Sequence, residues 1–271
     1  MSTATTPKDA RGLAGQTVGD TAICAVNQTQ LMYRGYEIAD LAANATFEEV
    51  AHLLLVGHKP SEAELKDFTQ RVRAEMAIPG ELVEVLRGIA GDPPNAHPMS
   101  ILRTAISWLS HFDPDCEDHS AEAELRKSIR LLAQIPTIIG AMQRIRDGHE
   151  PVAPDPSLGH AANLLYMMSG ETPDARDSRV MDVSLTLYAE HDFNASTFAC
   201  RVIAATMSDL HAAICGGIGA LKGPLHGGAN EAAMEMMKDV DAHVATGGTV
   251  ADFMQKAFEE KRKLMGFGHR V

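Results

Sequence analysis

From residue 37 onward, apolar residues recur three and four apart in stretch after stretch, and start and stop signals separate the stretches. That period of 3.6 residues restricts the chain to helices packed on helices. Thr46-Phe-Glu-Glu49 is a capping box: its threonine and glutamate satisfy free amides at a helix start. Phe47, Val50, Leu53 and Leu54 then share one face, and Gly57 ends the helix through a left-handed turn. Ser61-Glu-Ala-Glu64, after Pro60, opens another helix. Pro98 opens a third, with Leu102, Ala105, Ile106 and Leu109 inward. The pattern predicts a long helix from about Ala121 to Arg146, kinked near Pro136. Further helices are predicted over 158–169, 174–190, 196–214, 229–240 and 249–264. Residues 1–14 read as a flexible tail, and 15–36 as an extended arm or hairpin with β-like runs Thr21–Val26 and Leu31–Tyr33. The acidic loop His111–Ser120 is expected to be exposed.

Charge narrows the partners. The net charge of −12 disfavours a nucleic-acid or anionic-membrane surface, so an anionic ligand needs a local positive pocket. Cys24, Cys116, Cys200 and Cys215 include no CxxC pair, and a reduced, cytoplasmic compartment is the simpler expectation. The leading MSTATTPKDARG lacks the apolar centre of a signal peptide. No segment offers the roughly eighteen unbroken apolar residues of a membrane span. Leu131–Met142 comes nearest, interrupted by Gln134 and Pro136.

Three of the twelve histidines stand at helix junctions. His191 lies in Tyr188-Ala-Glu-His-Asp-Phe-Asn-Ala-Ser-Thr197, with Asn194 or Ser196 as the cap of the next helix. His226 lies in Gly223-Pro-Leu-His-Gly-Gly-Ala-Asn230, before another helix, and His269 in Met265-Gly-Phe-Gly-His-Arg-Val271. Helix N-termini favour anions, and glycines let a ligand approach the backbone. A shared anion site and plain turn chemistry both account for these residues. Lys256, Lys261, Arg262 and Lys263 form a basic cluster that reads either as a solvated face or as a phosphate grip. There is no HExxH, HxH or Cys/His cluster, so a zinc site is weakly supported. Gly217-Ile-Gly219-Ala-Leu-Lys-Gly223 superficially resembles a dinucleotide loop but follows no strand.

At these residues the chain resembles the citrate synthase family, which includes 2-methylcitrate synthase. The matching segments are LMYRGYEIADLA (31–42), FEEVAHLLLVG (47–57), HPMSILRTAIS (97–107), YAEHDFNASTFACRVI (188–203), GGIGALKGPLHGGANEA (216–232) and KLMGFGHRV (263–271). The resemblance implies an all-α, two-domain homodimer subunit. Residues 37–215 would form the main part of a large domain, and 216–271 the start of a small CoA-binding domain that closes on substrate. It implies condensation of acetyl-CoA with oxaloacetate, or of propionyl-CoA in the methylcitrate variant, with no cofactor beyond the thioester and no metal. Carried over by position, His226 and His269 are the catalytic histidines: His226 holds the enol oxygen, and His269 polarises and protonates the ketone. His191 binds the 2-oxo acid and Arg73 a substrate carboxylate, while Lys263, Leu264, Met265, Gly266 and Phe267 contact CoA.

The chemistry agrees. The acetyl methyl is a poor acid, so a base must act while a donor stabilises the enolate. A neutral imidazole at a helix N-terminus suits that task. The family base is an aspartate downstream of the GHRV motif, and the sequence stops at Val271. The expectation is a fragment, incomplete at its C-terminus, inactive alone and exposing apolar helix faces. The rival readings are a truncated, non-catalytic CoA-binding or dimer-partner paralogue and, less favoured, a histidine-based metal protein.

Overall fold

The computed structural model describes residues 18–26, 30–91, 96–224 and 226–267. The expected arm is a three-stranded antiparallel sheet of β1 (Cys24–Val26), β2 (Leu31–Tyr33) and β3 (Tyr36–Glu37). Cys24 stands opposite Tyr33, and Tyr33 opposite Tyr36. The two loop residues between β2 and β3, Arg34 at φ 48° and Gly35 at φ 88°, both take the positive φ that a tight hairpin turn demands. Arg34 Nη2 donates to the Leu54 carbonyl at 3.0 Å, which fastens the turn to the helical body.

Twelve α-helices follow among the described residues. The first six are α1 (Ile38–Asn44), α2 (Phe47–Val56), α3 (Glu62–Ala74), α4 (Gly80–Ala90), α5 (Pro98–Leu109) and α6 (Ala121–Arg146). The rest are α7 (His160–Ser169), α8 (Ala175–Tyr188), α9 (Ala195–Ala204), α10 (Leu210–Leu221), α11 (Gly228–Ala245) and α12 (Val250–Glu259). Both expected capping boxes are formed, at Thr46/Glu49 and Ser61/Glu64, and Gly57 closes α2 in the left-handed conformation. The all-α body thus follows the helical period. α6 runs as one element through Pro136.

Two expectations are corrected. The helix predicted over 196–214 is two helices, α9 and α10. Met207 takes φ 62° between them, and Asp209 restarts the ladder by accepting the Ala212 amide at 2.8 Å. The periodicity carried across the break because apolar residues continue through it. The His111–Ser120 loop is exposed at most of its positions, as expected, but not at all of them. Asp113 is buried, paired with Arg130, and Lys127 beneath it is wholly buried. Lys127 Nζ donates to the Asp118 carbonyl at 2.8 Å and to Glu124 at 2.7 Å. A buried cation persists only with such partners.

Three apolar cores tie the helices together. Leu82, Leu86, Ile101, Ile106 and Ile138 join α4, α5 and α6, with Ile218 of α10 added. Phe47, Phe68, Val72 and Ile129 join α2, α3 and α6. Cys24, Tyr33, Leu41, Val50 and Leu53 seat the sheet on α1 and α2. α10 lies against α5 on one side and α9 on the other. The α9 crossing is close because α10 carries glycine there: a Cβ on Gly217 would stand 2.4 Å from Cys200 Sγ, and one on Gly216 2.2 Å from Ile203 Cδ1. Gly216 and Gly217 therefore form a helix-packing surface within α10. α10 runs unbroken from Leu210 to Leu221. Exposed apolar side chains include Val180, Tyr188, Val202, Met234, Met237 and Phe258. Among the described residues, no helix is long and apolar enough to cross a membrane.

Candidate active site

The site grows from the junction of α8 and α9. Tyr33 on β2 is completely buried, and its hydroxyl lies 3.2 Å from the carbonyls of Thr186 and Leu187 at the end of α8. The Glu190 amide donates to the same hydroxyl at 3.3 Å. Burial pushes the Tyr33 phenol up to about 12, so it stays a protonated donor. The arm thus pins the residue just before His191. Glu190 is half-buried; its carboxylate accepts the backbone amides of His191 and Asp192, and burial raises its pKa. Asp192 then takes φ 56°, turning the chain toward α9. His191 is half-buried on this turn.

Asn194 is the N-cap of α9: its Oδ1 accepts the Thr197 amide at 2.9 Å. The sequence left Asn194 and Ser196 open as caps. Asn194 performs the task. Ser196, freed from capping, donates its hydroxyl to Asn194 Oδ1 at 2.7 Å. Across from it stands His226. Its Nε2 lies 2.9 Å from Ser196 Oγ and 3.3 Å from the Ser196 amide, which points at it from the first turn of α9. The His226 ring therefore meets the N-terminus of α9 rather than that of α11, the helix it precedes in sequence.

The turn carrying His226 is fixed on several sides. The His226 amide donates to the Gly223 carbonyl at 2.9 Å. Lys222 Nζ donates to Ser100 Oγ at 2.9 Å, and Asn230 Nδ2 to Tyr188 Oη at 3.0 Å. His97 Nε2 lies 3.2 Å from Glu231. Arg201 stacks over Phe193, 4.7 Å from its ring centre, and places a cation beside the His191 turn.

The remaining site residues fall as follows. His269 lies outside the described residues. Lys263, Gly266 and Phe267 are exposed, and Leu264 and Met265 half-buried. A Cβ on Gly266, at φ 85°, would stand 3.3 Å from Ala233 Cβ, so this segment lies against α11, the helix that follows His226. Lys256 pairs with Glu260, and Arg262 with Asp239. Arg73 is exposed in the last turn of α3. That helix packs on α2 and α6, away from the α9–α10 pair. Glu190, Tyr33 and Asn230 were not singled out in the sequence. Their signal is tertiary, since each acts by holding a histidine-bearing turn.

Set beside known proteins, the fold and these junctions define a class. Residues 12–271 match the family described as citrate synthase, C-terminal domain. The chain belongs to the citrate synthase family. It is 45% identical over 267 residues to the 2-methylcitrate synthase of Mycobacterium tuberculosis, a match that covers 98% of this chain and 66% of that one. It is 41% identical to citrate synthase 2 of Bacillus subtilis, covering 96% of this chain and 68% of that one. Among solved structures, citrate synthase of Thermoplasma acidophilum in ternary complex with carboxymethyl coenzyme A and oxaloacetate superposes with a TM-score of 0.86 at 26% identity. That match covers 98% of this chain and 69% of that one. The chain thus spans about two thirds of the length of these relatives.

Proposed function

We propose that this chain carries the substrate-holding part of an acyltransferase that condenses acetyl-CoA with oxaloacetate to give citrate and free CoA. The observation that carries the reading is the His226 ring at the N-terminus of α9, 2.9 Å from Ser196 Oγ, with His191 just before the same helix. In this reading His226 donates a hydrogen bond to the enolate oxygen formed from the thioester. His191 holds the 2-oxo acid, and His269 polarises and then protonates its ketone. Lys263–Phe267 line the CoA path, supported by the seating of Gly266 on α11. Attack of the enol carbon on the ketone forms the new C–C bond, and water then cleaves the thioester. The step needs no metal and no further cofactor.

The methyl proton goes to an aspartate that the resemblance assigns to a segment following the GHRV motif, so this reading gives that role to none of the 271 residues. A cytoplasmic homodimer, with residues 216–271 opening the mobile CoA domain, completes the proposal. Propionyl-CoA is the second candidate thioester, favoured by the 45% identity to a 2-methylcitrate synthase.

The test is thiol release from each thioester with oxaloacetate, by a polypeptide that joins this chain to the segment following that motif in its relatives. The ratio of kcat/KM for the two thioesters separates the readings. H226Q should lower kcat on the order of 10²–10³-fold while oxaloacetate still binds. An unchanged kcat in H226Q would overturn the role given to His226.

A further inference from the structure

Away from His226, three metal-ligating side chains converge where the loop before α6 meets the start of α10. Cys116 Sγ, an Asp209 carboxylate oxygen and a His211 ring nitrogen all lie within 4.8 Å of one another. His211 is 1% exposed, and its Nδ1 is buried without a hydrogen-bond partner, 3.8 Å from Asp209 Oδ1. Asp209 is fixed, because the same oxygen accepts the Ala212 amide at 2.8 Å as the cap of α10. On the far side of the ring, Nε2 faces Asp113 Oδ2 across 3.5 Å, and Arg130 grips Asp113 through its other oxygen. A proton on Nε2 is favoured beside that carboxylate, which leaves a lone pair on Nδ1. That lone pair then looks at a carboxylate oxygen and a thiol sulfur, whose proton a metal ion would displace.

We propose that Cys116, Asp209 and His211 bind a zinc ion, with water as the fourth ligand, at a site separate from the condensation chemistry. Sulfur, imidazole nitrogen and carboxylate oxygen are the donors this ion takes, and bond lengths of about 2.0–2.3 Å in a tetrahedron put donors about 3.3–3.6 Å apart. The His211–Asp209 separation of 3.8 Å is close to that already. Cys116 supplies the remaining movement from a turn held by its amide bond to the Asp113 carbonyl at 3.1 Å. Asp113 stands where an orienting carboxylate stands behind a metal-bound histidine. The nearby cations are already matched, Lys127 by Glu124 and Arg130 by Asp113 and Asp115. Cys116 and Asp209 are half-exposed and give the ion its path in. Binding replaces the thiol proton with zinc and releases that proton to water. The ion would tie the loop before α6 to α10.

The experiment strips the purified chain with EDTA and titrates it with zinc by calorimetry, then with cobalt by absorption. One zinc per chain is expected, with a sulfur-to-cobalt charge-transfer band in the near ultraviolet and a higher Tm. C116S should abolish the band and weaken zinc binding at least tenfold. D209N, whose amide oxygen still caps α10, should weaken binding while circular dichroism stays helical. Absence of stoichiometric zinc in the folded wild-type chain overturns the proposal, as does undiminished binding in C116S. A wild-type cobalt spectrum without the thiolate band overturns it whether or not either variant folds.

Discussion

His160 offers a quantitative check of the packing. It opens α7, is 5% exposed, and packs with its ring tilted against Phe47, ring centres 5.0 Å apart. Burial pushes its imidazole down to about 4, only partly offset by the Asp182 carboxylate. The ordinary histidine value is about 6.5. The unfolded chain therefore takes up the proton first as pH falls. Stability from this residue is fully present above about pH 6.5 and is lost progressively down to about pH 4. Linkage over those two values gives a loss of about 2 kcal/mol between pH 7 and pH 5. That is a large part of a total on the order of 5–15 kcal/mol. The assay is urea unfolding followed by circular dichroism at pH 7, 6 and 5, on the wild-type chain and on H160Q. Burial moves His211 downward too and Glu190 upward, but both residues stay in both proteins and cancel in the difference. H160Q should begin less stable and lose about 2 kcal/mol less across the interval. A gap between the two proteins that does not change with pH would refute the neutral, buried imidazole.

Y33F should cost about 1–3 kcal/mol in urea unfolding, because the Glu190 amide loses its acceptor and the end of α8 loses a donor. Hydrogen exchange at the Glu190 amide should accelerate in the same variant. G217A should destabilise by about 1–3 kcal/mol, since the new Cβ meets Cys200 Sγ at 2.4 Å. C200A added to G217A should recover most of that loss, and two independent, additive costs would argue against the close α9–α10 crossing.

What could be read in the sequence was what local chemistry decides. Thr46, Ser61, Gly57 and Pro98 act within a turn of their own position, and each does what its residue type dictates. The two failures share a cause. Residues 196–214 keep an apolar period through a break set by Met207 and Asp209, and periodicity measures faces rather than backbone continuity. The His111–Ser120 loop is acidic by composition, yet Arg130 from the middle of α6 reaches Asp113 and draws it under cover. Neither partner predicts the other from sequence. The metal-ligating trio was hidden in the same way, because Asp209-Leu-His211 is too short a pattern to signal a site and Cys116 comes from a remote turn. The histidine junctions were legible as positions. What the rings touch was not: His226 was read against its own helix, and the structure sets it against α9.

That last difference bears on the chemistry, because it decides which ring nitrogen of His226 carries the proton. Two groups of Ser196 meet Nε2, the hydroxyl at 2.9 Å and the amide at 3.3 Å. The hydroxyl can serve either way. It can donate to Nε2, or it can accept from Nε2 while donating to Asn194 Oδ1 at 2.7 Å. The amide has no such choice, since a backbone N–H only donates and its direction is set by the first turn of α9. A proton on Nε2 would point at that N–H, two hydrogens facing each other at the positive end of a helix. A lone pair on Nε2 satisfies the amide, and the hydroxyl then turns its proton from Asn194 Oδ1 toward Nε2. The fixed donor therefore outweighs the rotatable one, and the proton belongs on Nδ1. In the proposed function, Nδ1–H is then the atom that would donate to the thioester enolate. Its aim depends on α9 staying where the glycines of α10 let it lie.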